Sequence, residues 1–136
     1  MHYQGSGLIT NLVNREYIVK MNYFVFGTND MPKAVGFYDK IFEGAGVNKV
    51  QDEGRMTLWM GDGFMFALAE PFDENDATVG NGTMIGLNLD SSAEVDLIHS
   101  KAISLGAKSE GDPSIRSGRY SAYFRDLDGN KVCVFE

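Results

Sequence analysis

Residues 83–106 read Thr83-Met84-Ile85-Gly86-Leu87-Asn88-Leu89, then Asp90-Ser91-Ser92-Ala93-Glu94, then Val95, Ile98, Ala102 and Leu105 at helical spacing, ending on Gly106. The first stretch has a strand pattern. Ser91 and Glu94 form a capping box, the apolar residues after them line one helical face, and Gly106 supplies the backbone that ends a helix. The same order of signals stands sixty residues earlier. A strand rich in aromatic and branched residues spans 22–28, and Asn29-Asp30 then offers side-chain oxygens to a helix start, with Pro32 tolerated in the first turn. Met31, Ala34, Val35, Tyr38, Ile41 and Phe42 recur at helical spacing before Gly44 and Gly46. Asp30 to Gly46 and Asp90 to Gly106 are equally long, so the chain contains a repeat.

Working outward, each helix is followed by strands joined through an Asp-Gly pair: Asp62-Gly63 between 55–60 and 64–69, and Asp128-Gly129 between 120–125 and 131–135. Asp-Gly favours a two-residue type I′ hairpin, whose central residues both need positive φ. With the short segments 47–51 and 107–109, each half becomes strand, helix, strand, strand, strand. A ferredoxin-like domain leaves room for only two strands between its helices, whereas 47–69 has room for three. The expected fold is therefore α+β, with two βαβββ repeats (21–70 and 83–136) making one 21–136 domain. Its mixed or antiparallel sheets are curved, with helices on the convex side and a cupped face left open for a small molecule. Residues 1–20, with Gly5-Ser6-Gly7 and a possible amphipathic turn at Leu8, Ile9, Leu12 and Val13, are a tail: an extension, a scar or a short docked helix.

Composition narrows the partners. The 136 residues carry 12 Lys and Arg against 19 Asp and Glu, a formal charge of −7. Such a surface repels phosphate backbones and anionic lipid, which argues against nucleic acid and membrane. A chain of this size hides roughly two thirds of its unfolded surface, so the core needs no staple. The single cysteine, Cys133, excludes an internal disulfide framework and a multi-thiolate zinc site and suits a reducing cytoplasm.

Three stretches resemble the vicinal oxygen chelate superfamily, which includes glyoxalases, bleomycin-resistance proteins and extradiol dioxygenases. They are Asn22-Tyr23-Phe24-Val25-Phe26-Gly27-Thr28-Asn29-Asp30 with Phe37-Tyr38, Val79-Gly80-Asn81-Gly82-Thr83-Met84, and Tyr123-Phe124-Arg125-Asp126-Leu127-Asp128-Gly129-Asn130-Lys131. The resemblance implies the same two-module fold and a homodimer whose halves complete each cavity. It also implies ligand positions that metal-using members fill with His, Gln or Glu. Here they hold Tyr23 on the first strand, Met84 on the fifth and Cys133 on the last, with the fourth-strand position at Phe66 or Ala67. None of these supplies the imidazoles and carboxylates that hard divalent cations want, so neither a metal nor another cofactor is expected. The two histidines do not repair this: His2 is in the tail, and His99 reads as a solvent-edge helix residue.

Strand alternation from Tyr23 sends Val25 and Gly27 into the cup, and from Met84 it sends Gly86 and Asn88 there. Across a two-residue Asp128-Gly129 turn Cys133 pairs with Phe124, so Ala122 and Tyr120 share its face. Trp59 is either a cavity wall or a core residue. Arg116 and Arg119 flank Ser117-Gly118 in a loop able to swing over the mouth, where Arg116 could clamp an acid or simply pair with Glu110 or Asp112. Glu70 reads as a base or as part of an acidic loop. The candidate ligand-binding residues are thus Tyr23, Trp59, Met84, Asn88, Arg116, Tyr120 and Cys133. The pattern points to a metal-independent module that sequesters a small, partly aromatic or anionic molecule, as resistance proteins of the superfamily do. The alternative is a glyoxalase-like lyase or isomerase, either metal-dependent through unrecognised ligands or metal-free.

Overall fold

The structure, a computed structural model, describes residues 15–136. The tail reading of residues 1–20 falls largely outside the described residues. Strand β1 (Tyr23–Gly27) leads into helix α1 (Met31–Ile41), followed by β2 (Asn48–Glu53), β3 (Met56–Gly61) and β4 (Phe64–Ala69). After a connection, β5 (Ile85–Asn88) leads into α2 (Ser92–Ser104), then β6 (Lys108–Arg116), β7 (Arg119–Arg125) and β8 (Lys131–Phe135). The two sheets have the same order, β1-β4-β3-β2 and β5-β8-β7-β6. Both are mixed, because β1 pairs parallel to β4 and β5 parallel to β8 while the remaining pairs are antiparallel. The expected α+β pair of βαβββ modules is the observed fold.

Local chemistry starts each helix. The Asp30 side chain accepts from Lys33 N at 3.2 Å, and the Ser91 hydroxyl accepts from Glu94 N at 3.2 Å. Both satisfy amides that a helix N-terminus leaves without partners. The helices cover one face of the sheets. Phe26, Phe37, Tyr38, Phe42, Trp59 and Phe66 form an aromatic cluster behind the first sheet, with Tyr38 and Phe66 ring centroids 4.8 Å apart. Phe37 reaches Phe124 of the second sheet at 6.1 Å, and the Tyr38 hydroxyl donates to Asp126 Oδ2 at 2.6 Å, so one core runs through both modules. His99 belongs to this buried side rather than the solvent edge. It is one turn from Val95 and from Ala102, and its Nε2 lies 3.1 Å from Ser109 Oγ and 3.2 Å from Tyr123 O.

The turns depart from expectation in an instructive way. Gly61 pairs with Phe64 across Asp62-Gly63, a two-residue turn, but only Gly63 has positive φ (78°), so it is not type I′. Arg116 pairs with Arg119 across Ser117 (φ 51°) and Gly118 (φ 76°), which is the type I′ pattern at a place read as a mobile loop. Arg125 pairs with Lys131, leaving five residues, 126–130, in the last turn. Asp126 organises them: its Oδ1 accepts from Asp128 N at 3.0 Å and Asn130 N at 2.9 Å, and Asn130 Nδ2 donates to its Oδ2 at 3.1 Å and to Gly27 O at 3.1 Å. An odd turn shifts the register by one residue. Cys133 therefore pairs with Tyr123, not Phe124.

Candidate functional site

The face of the sheets away from the helices is open, and alternation decides what it displays. On the first sheet, Tyr23, Val25, Met65 and Ala67 point there from the parallel β1–β4 pair, and Leu58 and Met60 follow from their pairing with Ala67 and Met65. Tyr23 is 50% and Met60 48% exposed, against 1% for Trp59 beside them on the opposite face. This surface is aromatic and thioether-rich, with no charged side chain on β1, β3 or β4. Of the two fourth-strand possibilities, Ala67 faces the open side and Phe66 the core.

The second sheet displays a different chemistry. Arg119, Ser121, Tyr123 and Arg125 share its open face with Lys131, Cys133 and Phe135. Two cations approach the Tyr123 ring, Arg116 with its guanidinium carbon 5.1 Å from the centroid and Lys131 with Nζ at 5.4 Å, and Arg119 covers Phe135 at 5.4 Å. Two glycines let these rings lie close to the backbone. A Cβ on Gly86 would stand 3.0 Å from Phe135 and one on Gly111 would stand 3.0 Å from Tyr123. Cys133 is 7% exposed, and burial pushes its thiol up from its ordinary value despite a hydrogen bond from Tyr123 and the charges of Arg116 and Lys131. A thiol held protonated in this way is a poor nucleophile.

The residues singled out from sequence separate accordingly. Met84, directly before β5, is 46% exposed, and Tyr23 and Cys133 are on the open face. Asn88 also lies there, but its Oδ1 accepts from Asp90 N at 3.0 Å and serves the turn into α2. Trp59 is a core residue whose Nε1 donates to Asp39 Oδ1 at 3.1 Å, which settles its two readings in favour of packing. Tyr120 is a correction: it faces α2, and its hydroxyl donates to Asp96 Oδ1 at 2.5 Å. Arg116 is not on a swinging loop. Its Nη1 donates to Ser121 O at 2.7 Å and its Nη2 to Asp112 O at 2.8 Å, so the two nitrogens that would form a fork are engaged. Glu70 is exposed, and its backbone carbonyl accepts from Arg55 Nη1 at 2.7 Å. Tyr123 was missed because a two-residue count through Asp128-Gly129 turns β7 over, whereas Lys131 and Phe135 share the face of Cys133 by alternation along β8 whatever the turn. The signal that finds it is Asp126, whose spacing to Asp128 and Asn130 suits a side-chain-capped longer loop.

A pocket of about 140 Å³ joins the modules, lined by Val25, Gly27, Thr78, Thr83, Asn130 and Lys131 among others. A larger hollow runs along Arg15, Glu16, Tyr17 and Ile18, where the Arg15 guanidinium carbon lies 5.1 Å from the Tyr17 ring centroid. At the superfamily's ligand positions the donor set is one phenol, one thioether and one thiol, and among the described residues no three His, Cys, Asp or Glu side chains are grouped to hold a metal ion. That set does not fit a hard divalent cation.

Two four-stranded mixed sheets of identical order, each backed by one helix and each open on its other face, define a two-module α+β domain of the glyoxalase type. The family model of the Glyoxalase/Bleomycin resistance protein/Dioxygenase superfamily matches residues 20–134, and the chain belongs to that superfamily. Its structure is similar to that of a glyoxalase/bleomycin resistance protein from Albidiferax ferrireducens, with a TM-score of 0.79, 28% identity, and coverage of 85% of this chain and 96% of that chain. It is also similar to lactoylglutathione lyase from Agrobacterium tumefaciens (TM-score 0.69, 24% identity, 89% and 96% covered). A fosfomycin resistance protein from Listeria monocytogenes shares the fold as well (TM-score 0.67, 17% identity, 88% and 92% covered). The last two are likenesses of fold alone. No functionally curated protein matches the chain. Among the described residues no helix is long and apolar enough to cross a membrane.

Proposed function

We propose that this chain is a small-molecule-binding protein that works without a resident metal and sequesters a small, partly aromatic or anionic compound on the open face of its sheets. What supports the reading is the donor set: the positions that the resemblance gives to imidazole or carboxylate in metal-using members hold Tyr23, Met84 and Cys133, and register turns Tyr23 and Cys133 to the open side. What the face offers instead is rings, thioethers and cations, which suit recognition and provide no activated base. A second copy of the chain completes the site. The pocket between the modules, about 140 Å³, falls short of the roughly 300–1,000 Å³ usual for ligand sites, while Tyr23, Val25, Met60 and Met84 remain about half exposed. A lone buried thiol suits a reducing compartment such as the cytoplasm.

The test is elemental analysis of protein purified without chelator, together with sedimentation and thermal shifts against aromatic and anionic compounds. The expected outcome is a dimer with substoichiometric metal. A compound present at a hundred times its dissociation constant should add about 2.7 kcal/mol of apparent stability. Tyr23→Ala and Met84→Ala should weaken that response. Stoichiometric zinc, nickel, manganese or iron that resists dialysis would overturn the reading.

A further inference from the structure

The open face of the second sheet is positively charged in a chain whose formal charge is −7. Register places Lys108, Arg119, Arg125 and Lys131 on it, and Arg116 joins them over Tyr123. One carboxylate, Glu110, faces this group, and it is held by Arg125 at 2.8 Å. The arginines are engaged: Arg116 by two backbone carbonyls, Arg119 by Glu136 O at 3.0 Å, Arg125 by Glu110 and by Gly129 O at 3.1 Å. Lys131 makes no hydrogen bond or ion pair among the described residues. It lies against the Tyr123 ring and lines the pocket between the modules. That pocket has the volume of four or five waters at about 30 Å³ each, which is room for an acid head group and not for a whole ligand. Beside it, Val25 leads onto the methionine-bearing face of the first sheet, where no charge would repel an apolar body.

We propose that the ligand is an amphiphilic organic acid: Lys131 holds its carboxylate or phosphate in the pocket beside Thr78, Thr83 and Asn130, and its apolar part lies across Val25, Tyr23 and Met60. The proposal rests on the binding function above and adds the chemical class and the residue that reads it. A local excess of cations in an acidic protein also concentrates anions at that face. Binding is then sensitive to the charge of the ligand's head group and insensitive to small changes in its tail.

The experiment uses the full chain and matched pairs of ligands, aryl and alkyl carboxylates with their primary amides, read by titration calorimetry and by amide-resonance perturbation in NMR. Wild type is expected to prefer the acids about tenfold or more, the scale of a charge-assisted hydrogen bond. The perturbed amides should include those of residues 78–83. Lys131→Gln should bring acid binding down to the level of the amides without changing amide binding, and Lys131→Arg should keep the preference. Equal binding of acids and amides to wild type, or an acid preference that survives Lys131→Gln, overturns the proposal while leaving small-molecule binding intact. Failure of every pair to bind wild type overturns both.

Discussion

The two modules are copies of one plan on the side that faces the helices and different surfaces on the side that does not. Phe66 on β4 and Phe124 on β7 are both fully enclosed by helix-borne apolar residues. On the open side, the first sheet shows Tyr23, Val25, Leu58 and Met60, and the second shows Tyr123 with two cations against its ring. Packing against a helix constrains volume and polarity tightly, because a misfit in a close-packed interior costs stability directly. A face in contact with solvent or ligand carries no such constraint and is free to diverge toward function. The same contrast holds in the Asp-Gly turns. Asp62 is exposed and makes no side-chain hydrogen bond among the described residues, whereas Asp126, four residues before Asn130, caps a five-residue loop that also ties β1 to β8.

The largest effect tests the equivalence of the buried sides. Phe66→Ala and Phe124→Ala should each cost about 3–5 kcal/mol, measured by urea unfolding, and the two values should agree within about 1 kcal/mol. A much smaller cost at one of them would break the symmetry of the core. The next test separates the turns. Asp126→Ala strands the Tyr38 hydroxyl and the Asn130 amide groups and should cost about 2–4 kcal/mol, while Asp62→Ala should stay within about 0.5 kcal/mol of wild type. Equal costs would show that the Asp126 side chain holds the last turn no more firmly than Asp62 holds the turn between β3 and β4.

The smallest effect is a pH dependence located at the join between modules. Burial, and after it the charge of Asp126 and the hydrogen bond to it, holds the Tyr38 phenol well above its ordinary value. The folded state thus keeps a proton that the unfolded chain releases near pH 10. The contribution is fully present below that pH and is lost as pH rises toward the folded value, with a limiting slope of about 1.4 kcal/mol per pH unit. Tyr38→Phe should shrink this alkaline limb in a stability profile taken between pH 9 and 11, leaving the smaller share of Tyr120, whose phenol the hydrogen bond to Asp96 also holds up, while lowering stability at neutral pH. An unchanged limb would place the titrating group elsewhere.

The sequence by itself determined the repeat, both helices with their caps at Asp30 and Ser91, the strand count and the absence of a hard-cation donor set at positions 23, 84 and 133. Each of these depends on local spacing, on 3.6- or two-residue periodicity, or on residue chemistry alone. Tertiary structure decided which side of each strand met the helices. It buried Trp59 and His99, turned Tyr120 toward Asp96 and brought Tyr123 beneath Arg116 and Lys131. The physical reason is parity: strand faces alternate every residue, so one extra residue in a turn exchanges them all. That extra residue was held by Asp126, whose partners Tyr38, Asn130 and, through Asn130, Gly27 lie on three separate elements and meet only when the chain has folded.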